Sequence, residues 1–99
     1  MAVKFQDDDD AYLDWLSGHP DGFVLNCERH PKPDYLILHA ASCHSITRLQ
    51  PAARRWTKGY VKVCADTVAD LETWVRATVP EGSAVACPIC SPLFTGPAA

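Results

Sequence analysis

The sequence lacks any apolar run of the roughly 18–20 residues that a membrane-spanning helix needs. The longest candidate, from Tyr35 to Cys43, is interrupted by His39. The first ten residues, MAVKFQDDDD, contain no apolar stretch of signal-peptide length, so we expect a cytoplasmic protein that makes no membrane contact. A chain of 99 residues is expected to form a single domain, with residues 1–7 and 92–99 as frayed tails.

Glycine is scarce, and none of the five glycines falls in the G-x-G or P-loop spacing of a phosphate-binding loop. Serine, histidine and aspartate are all present, but no serine lies in the pattern of a nucleophile elbow. No pair of acidic residues falls in a segment that is typical of a catalytic cleft. The sequence therefore predicts a protein that is not an enzyme and has no small-molecule substrate.

Cysteine, in contrast, is abundant for a cytosolic chain, with five residues. In a reducing compartment, clustered cysteines indicate a metal site or a catalytic thiol before they indicate disulfides. Cys87 and Cys90 have CxxC spacing, at which two thiolates can bind one tetrahedral metal ion. His39 and Cys43 add an imidazole and a thiol four residues apart. Together they form a Cys₃His set, so the sequence predicts a Zn²⁺ site at His39, Cys43, Cys87 and Cys90.

Other assignments of these residue types stay open. CxxC is also a redox motif, but that motif opens a helix, and the Ser-Pro-Leu that follows Cys90 does not favour one. Cys27 and Cys64 each end an apolar strand and are expected to be buried, inert thiols. Either of them could still replace His39 as the fourth ligand, and His44 competes with His39 for the same position.

The ligand spacing also resembles a known module. The pattern H-x3-C-x2-I, followed at a distance by C-x2-C-x-P, resembles the small metal-binding module of the bacterial adaptive-response alkylation-repair protein, which also occurs as a tail on some nucleases. The resemblance implies zinc as the metal, the same four ligands, and Pro92 in the family's proline position. The segments GFVLN, YLILH and YVKVCAD also look like those of small actinobacterial proteins.

Charge is segregated along the chain, although the net charge is only −3. Residues 1–27 carry six Asp against one Lys, whereas residues 28–63 carry seven Arg or Lys against two acids. Within 48–62 the cations alternate with aromatic rings, a combination found at single-stranded nucleic-acid sites. The predicted nucleic-acid-binding residues of this basic band are Arg48, Arg54, Arg55, Trp56, Lys58 and Lys62.

The favoured hypothesis is a small zinc-stabilised binding module that contacts nucleic acid through the basic band at 48–62. One alternative is an acidic protein-interaction or inhibitor module, whose acidic ends contact a basic protein partner. A thiol-redox protein is a third interpretation. The basic side chains could also be solvated loop charges that pair with the acidic ends of the chain.

The order of predicted elements is helix, strand, strand, strand, helix. One helix is predicted over residues 8–17, starting within the acidic run Asp7 to Asp10. A second is predicted over 68–78, between a capping-box motif and Pro80. Strands are predicted at 23–27, 35–39 and 59–65, the first two forming an antiparallel hairpin. This order predicts an α+β domain, with a small antiparallel sheet of about three strands and helices on one side.

Overall fold

The computed structural model describes residues 2–43, 46, 57 and 60–88, and every structural statement below concerns these residues. Their elements in chain order are β1 (Val3–Phe5), α1 (Asp9–Gly18), β2 (Phe23–Glu28), β3 (Leu36–Ala40), β4 (Tyr60–Ala65), α2 (Val68–Thr78) and β5 (Val85–Ala86). The five strands form one sheet in the spatial order β1-β4-β2-β3-β5. Neighbouring strands are antiparallel except β3 and β5, which are parallel.

The α+β class and the β2–β3 hairpin are confirmed, but the expected sheet of about three antiparallel strands is wrong. Two short edge strands extend it, and one of them makes the sheet mixed. Within the expected frayed tail at 1–7, Val3–Phe5 pairs with β4 along three residues. The other expected tail, 92–99, lies outside the described residues.

The acidic run begins α1, as predicted. The Asp8 carboxylate caps the helix by accepting a hydrogen bond from the backbone N of Ala11 at 3.1 Å. Asp7 accepts two hydrogen bonds from the Arg29 guanidinium, at 2.8 and 2.9 Å. Since the neighbouring Asp9 also accepts hydrogen bonds from Thr57, most of the acidic run is engaged within the protein.

Helix α2 begins and ends where the sequence predicts. The Thr67 hydroxyl accepts a hydrogen bond from the backbone N of Asp70 at 3.2 Å, and Pro80 follows the last turn. Val68, Leu71 and Val75 recur at helical spacing and are all buried against the sheet.

The two helices lie on opposite faces of the sheet, so the expectation of helices on one side is wrong. Helix α2 packs with Leu25 and Val63, which are paired neighbours in the sheet. Helix α1 packs through Tyr12 with Val24 and Cys64, which precede and follow those residues and therefore point to the other face. Because both faces are covered, all residues of β4 after Tyr60 are buried.

Candidate metal centre

The sheet brings three of the four predicted metal ligands together from separate segments. His39 lies near the end of β3, on the α1 face, and Cys43 follows in a turn in which its backbone N donates to the Ala40 carbonyl at 2.9 Å. The parallel register pairs Leu38 with Ala86, so His39 and Cys87 are the next residues along the two strands. A hydrogen bond from the backbone N of Cys87 to the Leu38 carbonyl, at 2.8 Å, holds this end of β5 in place.

The ligand atoms of His39, Cys43 and Cys87 all lie within 4.8 Å of one another, and all three side chains are buried. Zinc lies about 2.3 Å from a thiolate and about 2.0 Å from an imidazole nitrogen, so ligand atoms this close can share one ion. The group could therefore hold a metal ion. The fourth predicted ligand, Cys90, lies outside the described residues.

The electrostatic setting of His39 suits metal binding. Burial, together with the positive charge of Lys62, lowers the pKa of His39 to about 4. At neutral pH the imidazole is therefore neutral, which is the form that donates a lone pair to a metal. The site thus combines a neutral nitrogen donor with two thiols that can ionise on metal binding.

The surroundings of this group are apolar. Cys43 and Cys87 belong to a buried cluster with Tyr12, Val24 and Ile46. The Tyr12 hydroxyl donates to the Ile46 carbonyl at 3.1 Å, and burial, with smaller effects of nearby cysteines, raises the Tyr12 pKa. An apolar, enclosed setting of this kind favours a structural metal ion over a catalytic one, which must exchange water and substrate.

The remaining described cysteines are buried, as the sequence predicts. Cys27 and Cys64 have no solvent-exposed surface, and burial raises their pKa values to about 11 and about 12. Protonated, enclosed thiols are poor nucleophiles. The group that could hold a metal contains neither of them. Cys27 points to the α2 face, while Val24 of the intervening strand β2 separates Cys64 from His39. The competing ligand His44 lies outside the described residues.

Most of the predicted nucleic-acid-binding residues, namely Arg48, Arg54, Arg55, Trp56 and Lys58, lie outside the described residues. Lys62 is described, and it is buried, which does not favour its predicted contact with nucleic acid. Only 5% of its surface is exposed, and its Nζ donates to Asn26 Oδ1 at 2.8 Å. Burial lowers the Lys62 pKa to about 8. Lys62 is buried because α1 covers the second face of the sheet. The alternation in the sequence predicted only that Lys62 lies on the face opposite Val61 and Val63.

Thr57 makes tertiary hydrogen bonds that the sequence did not predict. Its backbone and hydroxyl make four hydrogen bonds with residues 7–9, including a bond from its Oγ1 to Asp9 at 2.6 Å and one from the backbone N of Asp7 to its carbonyl at 2.7 Å. No local pattern could have signalled contacts between residues 48 positions apart. They hold Thr57 against the N-terminus of α1.

No family model, curated protein or solved structure that was compared matches this chain. The resemblance to the alkylation-repair module therefore stays a prediction based on the ligand spacing alone. Among the described residues, neither helix has the length and apolar character that crossing a bilayer requires.

Proposed function

We propose that this protein is a small binding module whose fold is stabilised by one zinc ion. The observation that carries the proposal is the convergence of His39, Cys43 and Cys87 within 4.8 Å in the folded chain. Thiolate ligands with one imidazole favour zinc over hard cations such as Mg²⁺ or Ca²⁺. Cys90 is the proposed fourth ligand, because CxxC spacing lets both thiolates reach one tetrahedral ion.

A structural role for the metal accounts for the burial of its ligands. Four protein ligands leave no open coordination position for substrate, whereas catalytic zinc keeps one. The metal would also fasten β5, which has only two residues and pairs with β3 alone among the described strands. These features support a binding module over an enzyme.

Metal analysis tests this part of the proposal. We expect native mass spectrometry of the purified protein to show about one zinc per chain, and Cys90→Ser to lose it, because three ligands hold structural zinc far more weakly than four. Cys27→Ser is the matched control, since its thiol lies on the opposite face of the sheet, and it should keep the metal. A wild-type protein that folds fully without metal would contradict the proposal.

We propose nucleic acid as the partner, through the basic residues of segment 48–58. Arg48, Arg54, Arg55 and Lys58 accompany Trp56 in this segment, and cations with stacking surfaces suit phosphates and unpaired bases. Support comes from the anchoring of its flanks, at Cys43 by the proposed metal and at Thr57 by the start of α1. The acidic run is engaged in capping and ion pairing, which weakens the alternative of an acidic contact surface.

Salt dependence tests the choice of partner. Arg54→Ala combined with Arg55→Ala is expected to weaken nucleic-acid binding and to lower the slope of log K against log salt by about one unit per lost phosphate contact. Fluorescence anisotropy at several salt concentrations measures both quantities. Arg76→Ala, on the exposed side of α2, is the control and should leave the slope unchanged. If the wild type binds no DNA or RNA even at low salt, the protein-interaction alternative replaces this one.

A further inference from the structure

An aromatic pair lies at the end of the sheet that is farther from the metal-ligand group. The rings of Tyr35 and Tyr60 are stacked, with centroids 5.1 Å apart and planes 21° from parallel. Tyr60 begins β4, and Tyr35 immediately precedes β3, four residues before His39. Alternation along the strands places both tyrosines on the α1 face, in line with Lys62 and Ile37 respectively. Tyr60 is 44% exposed, so part of the pair faces solvent.

A chain of hydrogen bonds fixes the orientation of this pair. Lys62 Nζ donates to Asn26 Oδ1 at 2.8 Å, and Asn26 Nδ2 donates to the Tyr35 hydroxyl at 3.3 Å. Lys62 is buried and Asn26 is half-buried, so the first two members are held by the sheet itself. The ring of Tyr35 is thereby held in place, and Tyr60 packs on it. A ring that is already ordered loses little conformational entropy when a ligand stacks against it.

We propose that the Tyr35–Tyr60 pair is a stacking surface for an unpaired base of a single-stranded nucleic acid. This inference rests on the proposed function and names the surface on which the base stacks. Stacking on a tyrosine needs a ring that is accessible to the ligand, and Tyr60 is the exposed member of the pair. The other large apolar side chains that are exposed in the described part of the chain, Val3 and Val85, are aliphatic and offer no ring.

Charge complementarity favours a nucleic acid over an apolar protein segment as the occupant. Lys58 is two residues before Tyr60 in the sequence. Arg54 and Arg55 come shortly before it in the sequence. The acid that pairs with Tyr60 across the sheet, Glu28, lies 3.7 Å from Lys32, which offsets its charge. The sequence thus supplies cations for the phosphate backbone within a few residues of the ring proposed for the base.

The test measures the binding of a short fluorescein-labelled single-stranded oligonucleotide, as DNA and as RNA, and of the duplex of the same sequence. Tyr60→Ala is expected to weaken single-strand binding about 5- to 160-fold, the range for loss of one base–aromatic stack, without lowering the salt slope. Tyr60→Leu should lose as much, because it keeps the apolar bulk but not the ring, and Tyr60→Phe should retain binding close to that of the wild type. Val85→Ala is the matched control and should change nothing.

The variants separate this inference from the proposed function. If the wild type binds and the Arg54 and Arg55 substitutions lower the slope while Tyr60→Ala binds normally, the stacking surface is overturned and the proposed function stands. Equal binding of Tyr60→Leu and the wild type would overturn the stacking surface in the same way. If the wild type binds no nucleic acid, the proposed function fails and this inference fails with it. Thermal melting of each variant verifies that the domain is folded. Tyr35→Phe keeps the ring but removes the hydroxyl that accepts from Asn26, so it tests the hydrogen-bond chain separately.

Discussion

Cys87→Ala is expected to lower the free energy of unfolding by several kcal/mol, a large share of the roughly 5–15 kcal/mol that holds a domain of this kind together. The reason is that a preformed metal site does not exist in the unfolded chain, so the free energy of metal binding adds to the free energy of folding. Cys87 directly follows β5, beside His39 of β3, and the metal would join these strands to the turn at Cys43. Chelation of the wild-type metal should produce a loss of the same size.

Cys27→Ala provides the matched control for this prediction. It deletes the same thiol from an equally enclosed position, but on the α2 face and outside the ligand group. We expect it to cost only about 1–2 kcal/mol, as an ordinary cavity-forming substitution does. Urea unfolding with and without a chelator measures both effects. Chelator should destabilise the wild type and Cys27→Ala but leave Cys87→Ala unchanged; equal losses in the two variants, with no response to chelator, would refute the metal's role in stability.

Local signals in the sequence were sufficient to predict the longer elements. The bounds of α2 follow from Thr67, which caps its first turn, and from Pro80, which cannot continue it. The alternation of Val61 and Val63 with Lys62 predicts a strand and assigns the valines to one face, as observed. These signals depend on a few neighbouring residues only, so they do not require knowledge of how the rest of the chain folds.

The edge strands and the placement of the helices could not be predicted, because they depend on long-range pairing. β1 and β5 have three and two residues, too few for any alternation to be recognised. β1 pairs with β4, which lies far along the chain, and only that pairing makes it a strand. Nor does the sequence indicate which face of the sheet α1 covers, since the apolar stripe that includes Tyr12 would fit either face.

The candidate metal site was easier to predict than the sheet, for a chemical reason. Histidine and cysteine are the residue types that bind zinc, and their spacing at His39–Cys43 and Cys87–Cys90 restricts the choices to a few combinations. The structure brings three of them together through the parallel β3–β5 pairing, which the sequence did not predict. The candidate ligands were thus chosen by their chemistry, whereas the strand that precedes Cys87 was not predicted.

Lys62 is a residue whose environment could not be predicted from sequence. It gives the second prediction with a large expected effect on stability. Its ammonium group is enclosed by a sheet covered on both faces, and burial lowers its pKa to about 8 from the ordinary value of 10.5. The folded state therefore binds this proton more weakly than the unfolded state does. Below about pH 8 both states are charged and the full cost of burying the charge is present. Between about pH 8 and 10.5 the folded protein releases the proton first, so stability rises with pH.

Comparison with Lys62→Met isolates this contribution. Methionine keeps an unbranched apolar side chain but cannot titrate, so its loss of the bond to Asn26 is a constant cost across pH. We expect the wild type to gain about 3 kcal/mol of stability relative to this variant between pH 8 and 10.5, the equivalent of its pKa shift.

Urea unfolding of both proteins across this pH range measures the gain. If the wild-type and Lys62→Met curves run parallel instead, the ammonium group of Lys62 is hydrated in the folded protein, and the lowered pKa of Lys62 is refuted.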